Sequence, residues 1–255
     1  MALCSLVPGH SQKSGHSLKT DARLLDYRGQ LGEKVPDKTQ AEIPYSHLEY
    51  TAVFKKPMAW TAPANLISAV LTELEPWGFK LDGVEIKTHM EKLSEHTVIF
   101  RRTAPLFPGQ SVTLGVGRVV VAAENPDRME AEQLVAMSRA ALNVVCQTGR
   151  AEIQSQHLFL GVHIQLKDKP RRDATASLLN PVAFELLDGE VKFPGIILLR
   201  EKSSIVIDAS VGYANGLYVR ISREHPPEAT LEHLAEVLRK DEEKLFDVLG
   251  LEGIL

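Results

Sequence analysis

The segment from Ile153 to Lys167 alternates between apolar and polar residues along its length. Its apolar positions are Leu158, Leu160, Val162, Ile164 and Leu166. The positions between them carry polar, aromatic or glycine residues. A period of two places successive side chains on opposite faces of an extended chain. The pattern therefore predicts one long strand, with its leucines turned into the core and its histidines turned outward.

Four other segments are predicted to be helices. A stripe from Leu66 to Leu74 predicts a helix over 64–75, and Asp127 followed by Glu130 is typical of the start of a second helix that reaches Gly149. Pro226 and the proline after it precede a closing helix, and a short helix is expected at 175–179. The acidic run 241–243 on the closing helix is interpreted as a solvated face.

Runs typical of strands lie between these helices, at 47–54, 79–90, 94–102, 111–123, 182–187, 191–201, 204–211 and 216–222. Gly115 and Gly117 indicate a bent strand rather than a phosphate-binding loop, because a third glycine and a following helix are missing. Consecutive strands with short links favour antiparallel pairing. We therefore predict an α+β fold, with a mostly antiparallel sheet and helices packed on one face.

The first 44 residues are predicted to form a disordered tail, since they are polar and show no sustained period. A partner-binding arm that folds on contact is the alternative. Residues 45–255 would form the folded body. Its elements divide into two halves of related order, 45–125 and 150–255, joined by the second helix. The sequence shows no residue-level repeat, so a duplication and one intertwined domain both remain as alternatives.

Composition and charge narrow the class of protein. The chain is 44% hydrophobic and 24% charged, as globular proteins are, and its net charge of −4 argues against nucleic acid as a partner. Cys4 and Cys146 are too few and too far apart for a disulfide framework. The sequence shows no export signal and no apolar stretch of membrane-spanning length. We therefore expect a cytoplasmic protein that does not associate with a membrane.

Motifs for metal binding or catalysis are missing from the sequence, which has no HExxH, no Cys-x-x-Cys and no GxSxG. His157 and His163 share one face of the long strand, but at about 3.3 Å per residue they lie roughly 20 Å apart. They cannot bind one ion together unless Gly161 bulges the strand. We expect no metal and no cofactor.

The outward face of the long strand is the best candidate for recognition, because it carries a large aromatic residue among polar groups, as interfaces do. The basic loop that follows would extend this surface. The candidate binding residues are His157, Phe159, His163, Gln165, Arg171 and Arg172. We predict a non-catalytic binding protein that uses this sheet face for self-association, for a protein partner or for a small ligand.

The alternative hypothesis is an enzyme in which helices and a curved sheet enclose a pocket lined by apolar groups and a few polar ones. His96 or His157 would then be the first candidates for acid–base catalysis. Such a pocket should contain a histidine hydrogen-bonded to a carboxylate. No motif indicates which reaction it would catalyse.

Overall fold

The computed structural model describes residues 38–58, 63–87, 97–102, 109–126, 128–176, 178–179 and 193–252, with only the backbone described at 128–131. All of these residues belong to one compact unit, Asp37–Leu255. Most of the predicted tail, the predicted strand at 182–187 and His96 lie outside the described residues.

The described elements form one sheet with helices between its strands. In chain order they are β1 (Thr39–Phe54), α1 (Pro63–Leu74), β2 (Val84–Lys87), β3 (Thr97–Arg101), β4 (Gln110–Gly115), β5 (Arg118–Glu124), α2 (Arg128–Thr148), β6 (Ile153–Leu166), α3 (Arg171–Ala176), β7 (Ile196–Arg200), β8 (Ser203–Ala209), β9 (Gly216–His225), α4 (Leu231–Leu249) and β10 (Leu251–Glu252). The sheet order is β2-β3-β4-β5-β1-β6-β9-β8-β7, and β10 pairs in parallel with β1. The other strand pairs are antiparallel, which confirms the predicted fold class.

Helices α1, α2 and α4 form a layer over one face of the sheet. Helix α2 packs against α1, α4 and β5, and α4 also packs against β6 and β9. The even-numbered residues of β6 from Gln156 to Leu166 are buried on this side, whereas most of its odd-numbered residues are only half-buried. The predicted orientation of the long strand is therefore confirmed. None of the described helices has both the length and the apolar character needed to cross a membrane.

Strands β1 and β6 are the central pair of the sheet. After β1 the chain passes through α1 and returns by a meander whose last strand, β5, pairs with β1. After β6 it passes through α3 and returns by a second meander whose last strand, β9, pairs with β6. The two halves of the chain thus have a related order of elements on either side of one continuous strand pair.

The sheet begins earlier in the chain than the sequence pattern predicts. β1 starts at Thr39 rather than His47, so residues 39–44, predicted to belong to the tail, are part of the sheet. Its first residues pair with β10, and the Gln40 carbonyl accepts a hydrogen bond from the Lys167 amide. A register shift between Glu42 and Tyr45 breaks the alternation. This irregularity hides the start of the strand from a period-two pattern.

Three other predicted elements also need correction. The predicted bent strand at 111–123 is two strands, β4 and β5, which pair with each other because the chain reverses after Gly115. Residues Leu81–Gly83 form a 3₁₀ turn, so the strand predicted at 79–90 begins only at Val84, and it is described as far as Lys87. The short helix begins at Arg171 and ends at Ala176, before most of the predicted range.

A buried glutamine joins the sheet to the loop before α4. The Tyr50 hydroxyl donates to Oε1 of Gln156 at 2.7 Å. Nε2 of Gln156 donates to three carbonyl oxygens at 3.1, 3.0 and 2.8 Å, those of Pro226, Pro227 and Ala229. Gln156 is 2% exposed, so these bonds replace the water that the amide loses on folding.

We expect Gln156→Leu to lower the free energy of unfolding by about 1–3 kcal/mol, because it leaves the Tyr50 hydroxyl and the loop carbonyls without their buried partner. Chemical denaturation measures the difference. Gln154→Leu, at an exposed position of the same strand, is the matched control and should change stability by less than about 0.5 kcal/mol. Equal effects of the two substitutions would contradict this account of the loop.

Candidate functional site

A cavity of about 870 Å³ lies between the sheet and helices α2 and α4. Its floor comes from β1 and β6, and its walls come from the two helices. Most of its lining is apolar, including Leu48 of β1, Leu160 of β6, Leu134 of α2 and Leu238 of α4. Small-molecule sites typically have volumes of about 300–1,000 Å³ and mostly apolar walls. The cavity has the size and character of such a site.

The register of the central strands makes the cavity elongated. Three successive cross-strand pairs form its floor: Tyr50 with Leu158, Leu48 with Leu160, and Ser46 with Val162. At about 3.3 Å per residue these pairs span roughly 13 Å. Leu158 and Leu160 keep exposed fractions of 6% and 7%, whereas Ile164 on the same face is at 0%.

The wall of the cavity contains a polar group with no partner. Ser138 of α2 is 1% exposed, and its hydroxyl has no hydrogen-bond partner among the described residues. Leaving such a group unsatisfied costs about 1–3 kcal/mol. A ligand with a hydrogen-bonding group in the cavity would remove this cost.

Acidic residues of α4 lie at the other end of the cavity, where Phe246 also contributes to its lining. Burial, and then the negative charge of Glu243, raise the pKa of the Glu242 carboxyl. Glu243 forms an ion pair with Arg239 one turn earlier on the helix. Glu242 has no ion-pair partner in the described part of the chain, so its charge at this end of the cavity is not compensated.

The acidic run 241–243, interpreted from sequence as a solvated face, divides among three environments. Asp241 accepts hydrogen bonds from the Arg223 guanidinium of β9, including one from Nη2 to Oδ1 at 2.7 Å, and so attaches α4 to the sheet. Glu242 is half-buried beside the cavity, and Glu243 is exposed. Consecutive helical residues are rotated by about 100°, so a charge run does not define one face.

The predicted recognition surface lies on the opposite face of the sheet from the cavity. His157, Phe159, His163 and Gln165 are all half-buried there. The His163 ring lies 5.8 Å from the Tyr45 ring and 5.0 Å from the Tyr218 ring, centroid to centroid. Its Nδ1 is 2.7 Å from the Ser210 hydroxyl oxygen. Neighbouring rings therefore cover part of this surface.

Gly161 lies in the middle of the same face without bulging the strand. Pairing between β6 and β9 runs without a register shift from Gln156 to Gln165. A Cβ at Gly161 would lie 3.2 Å from both Cε1 of Phe159 and the hydroxyl oxygen of Tyr218, so these rings lean over the glycine. His157 and His163 remain far apart, and no described group of His, Cys, Asp and Glu side chains could hold a metal ion.

Arg171 and Arg172 lie in α3, after the end of β6. The Arg171 guanidinium is 5.6 Å from the centroid of the Phe193 ring, and its backbone N–H donates to Oδ1 of Asn215 at 2.9 Å. Arg171 is therefore held by the loop between β8 and β9 and by Phe193.

A histidine–carboxylate pair is the signature expected for an enzyme pocket. Among the described residues such a pair lies on the sheet face opposite the cavity, the open face, and not in the cavity. His47 Nε2 lies 3.6 Å from Glu49 Oε2, and the interaction with this imidazole lowers the pKa of Glu49. Nε2 of His157 lies 3.1 Å from the Ser155 hydroxyl oxygen. The described residues that line the cavity include no histidine.

Comparisons with known proteins give no family for this chain. No family model matches it, and no curated protein is similar to it. Among solved structures it is similar to the di-domain ARO/CYC StfQ from the steffimycin biosynthetic pathway, at 12% identity and a TM-score of 0.19, over 79% of this chain and 96% of that chain. We infer nothing about this chain from a likeness at that TM-score.

We expect Ser138→Ala to raise the free energy of unfolding of the ligand-free protein by about 1 kcal/mol more than Ser68→Ala does. Both serines lie in helices, so the control subtracts the higher helix propensity of alanine. Ser68 is exposed, and its hydroxyl bears no burial penalty. Chemical denaturation of the two variants measures the difference. A Ser138→Ala variant less stable than wild type would mean that the hydroxyl is already satisfied.

Proposed function

We propose that the protein binds a small, largely apolar molecule in the cavity between the β1–β6 pair and helices α2 and α4. The buried, unpartnered hydroxyl of Ser138 in the wall of this cavity is the observation that carries the proposal. The lining is mostly apolar, and a ligand that covers it removes this apolar surface from water. A ligand group that bonds the Ser138 hydroxyl also offsets the cost of leaving that hydroxyl unsatisfied.

This proposal keeps the predicted non-catalytic binding role and places the ligand on the helix side of the sheet. The enclosing helices and the mostly apolar lining also fit the pocket of the alternative enzyme hypothesis. The polar groups of the cavity favour binding, because the hydroxyl of Ser138 and the carboxyl of Glu242 lie near different ends and have no histidine beside them in the described lining. A cytoplasmic location remains part of the proposal.

Leu160→Trp tests the site directly, because the larger ring would occupy the middle of the floor. We expect the neutral fluorescent probe N-phenyl-1-naphthylamine to bind wild type saturably and to be displaced by 1-decanol. The Leu160→Trp variant should bind the probe at least tenfold more weakly. Gln154→Trp, at an exposed position of the same strand, should bind like wild type. Equal affinities of the two variants would place the probe outside the cavity.

Self-association through the sheet is a second candidate function. Strand β7, the last strand on its side of the described sheet, keeps Ile197, Leu198 and Leu199 at 65%, 56% and 73% exposed. An edge strand with unpaired backbone groups and exposed apolar side chains is a template for pairing with another strand. Two copies could pair their β7 strands about a two-fold axis, because an antiparallel pair of identical strands is self-complementary. The rings of His163, Tyr45 and Tyr218, on the sheet face opposite the cavity, offer a second contact surface.

Two variants separate these contacts in sedimentation or native mass measurements. If β7 forms the contact, Leu198→Lys should shift the protein towards monomer, because it places a charge in the joined edge. If the open face forms the contact, His157→Ala combined with Phe159→Ala should have that effect. The melting temperature of the double variant serves as its control, since it also loses the contact between the His47 and Phe159 rings. A wild-type protein that stays monomeric at high concentration would contradict both.

A further inference from the structure

Ser138 and Glu242 lie near the two ends of the cavity. The buried lining between them is apolar, whereas Glu236 and Arg239 lie on its exposed rim. Arg139 of α2 forms an ion pair with Glu232 in the first turn of α4, which places Ser138 near the start of α4. Glu242 lies further along the same helix, about 15 Å away at 1.5 Å per residue. Leu234, Leu238 and Leu160 line the space between these ends. A molecule that met both polar groups would need an apolar body of about this length.

The charges that line the cavity favour a cation. They are Glu132, Glu236, Glu242, Glu243 and Arg239. Arg239 pairs with Glu243, and Glu236 pairs with Lys240. Glu132 and Glu242 have no ion pair among the described residues. Among the described residues that line the cavity, an anionic head group would find no unpaired cation to balance these carboxylates.

A bound cation would stabilise the ionised carboxylate of Glu242 more than that of Glu132. It is half-buried, and its lost hydration and the nearby charge of Glu243 both oppose its ionisation. A positive nitrogen beside it would offset both effects, whereas the exposed Glu132 gains little from a partner in high-dielectric water. The buried hydroxyl of Ser138, which is independent of these charges, needs a hydrogen-bonding group at the other end.

We propose that the ligand is a cationic amphiphile, with an amine nitrogen paired to Glu242, an apolar body over Leu160, and a hydroxyl or carbonyl group at Ser138. This inference rests on the proposed binding function and names the chemical class of the ligand. Fatty acids and other anionic amphiphiles are the class that this cavity rejects.

Competition against N-phenyl-1-naphthylamine at pH 7 tests the ligand class, with each competitor kept below its micelle concentration. The competitors are decylamine, decanoate, 1-decanol and 10-amino-1-decanol. We expect decylamine to bind at least tenfold more tightly than decanoate. We also expect 10-amino-1-decanol to bind several-fold more tightly than decylamine in wild type but not in Ser138→Ala.

Two variants of acidic residues identify the group that binds the nitrogen. Glu242→Gln should weaken decylamine at least fivefold and leave 1-decanol unchanged. Asp247→Asn is the matched control, because Asp247 lies on the same helix, is exposed and is not among the residues that line the cavity, so it should leave both affinities unchanged.

The possible results distinguish this inference from the function on which it rests. Decanoate that binds as tightly as decylamine would overturn the cationic class and leave the cavity as a binding site. An equal loss of decylamine and 1-decanol affinity in Glu242→Gln would overturn the pairing with that residue. Failure of every neutral and charged probe to bind wild type would overturn the proposed function itself.

Discussion

The antiparallel pairing of β1 with β6 is the constraint on which the rest of the structure depends. The two strands pair from Ala41 with Leu166 to Phe54 with Ile153, which makes this the longest ladder in the described sheet. Both meanders return to this pair, one on each side. Because side chains alternate across a strand, the pairing also decides which residues of both strands face the helices.

A helix layer on one side gives the two faces of the sheet different chemistry. On the covered face, the Arg139–Glu232 pair joins α2 to α4, and the Arg223–Asp241 pair joins α4 to β9. These two ion pairs hold the helices against the sheet. Leu48 and Leu160 line the cavity that remains between the sheet and the two helices. On the opposite face, the described rings of Phe159 and Tyr218 lie over Gly161.

The residues most informative in the sequence are not those of the cavity. His157, Phe159 and His163 stand out because they interrupt a regular apolar pattern, and the structure places them on the open face as predicted. Ser138 follows Met137 in the helical stripe of α2 and reads as an ordinary helix residue. Glu242 lies within a charge run. Nothing in the neighbouring sequence distinguishes Ser138 or Glu242 from other helix residues, because the environment of each comes from another element that packs against it.

The sequence by itself determined the α+β class, the long strand β6 and which of its faces is buried, because alternation and helical spacing are local properties of the chain. It could not determine the start of β1, the reversal after Gly115 or the two ends of the cavity. Those features depend on pairing between residues far apart in the chain, such as Thr39 with Leu251 and Arg139 with Glu232. The tertiary structure alone decided that a buried hydroxyl and an uncompensated carboxyl would line one apolar space.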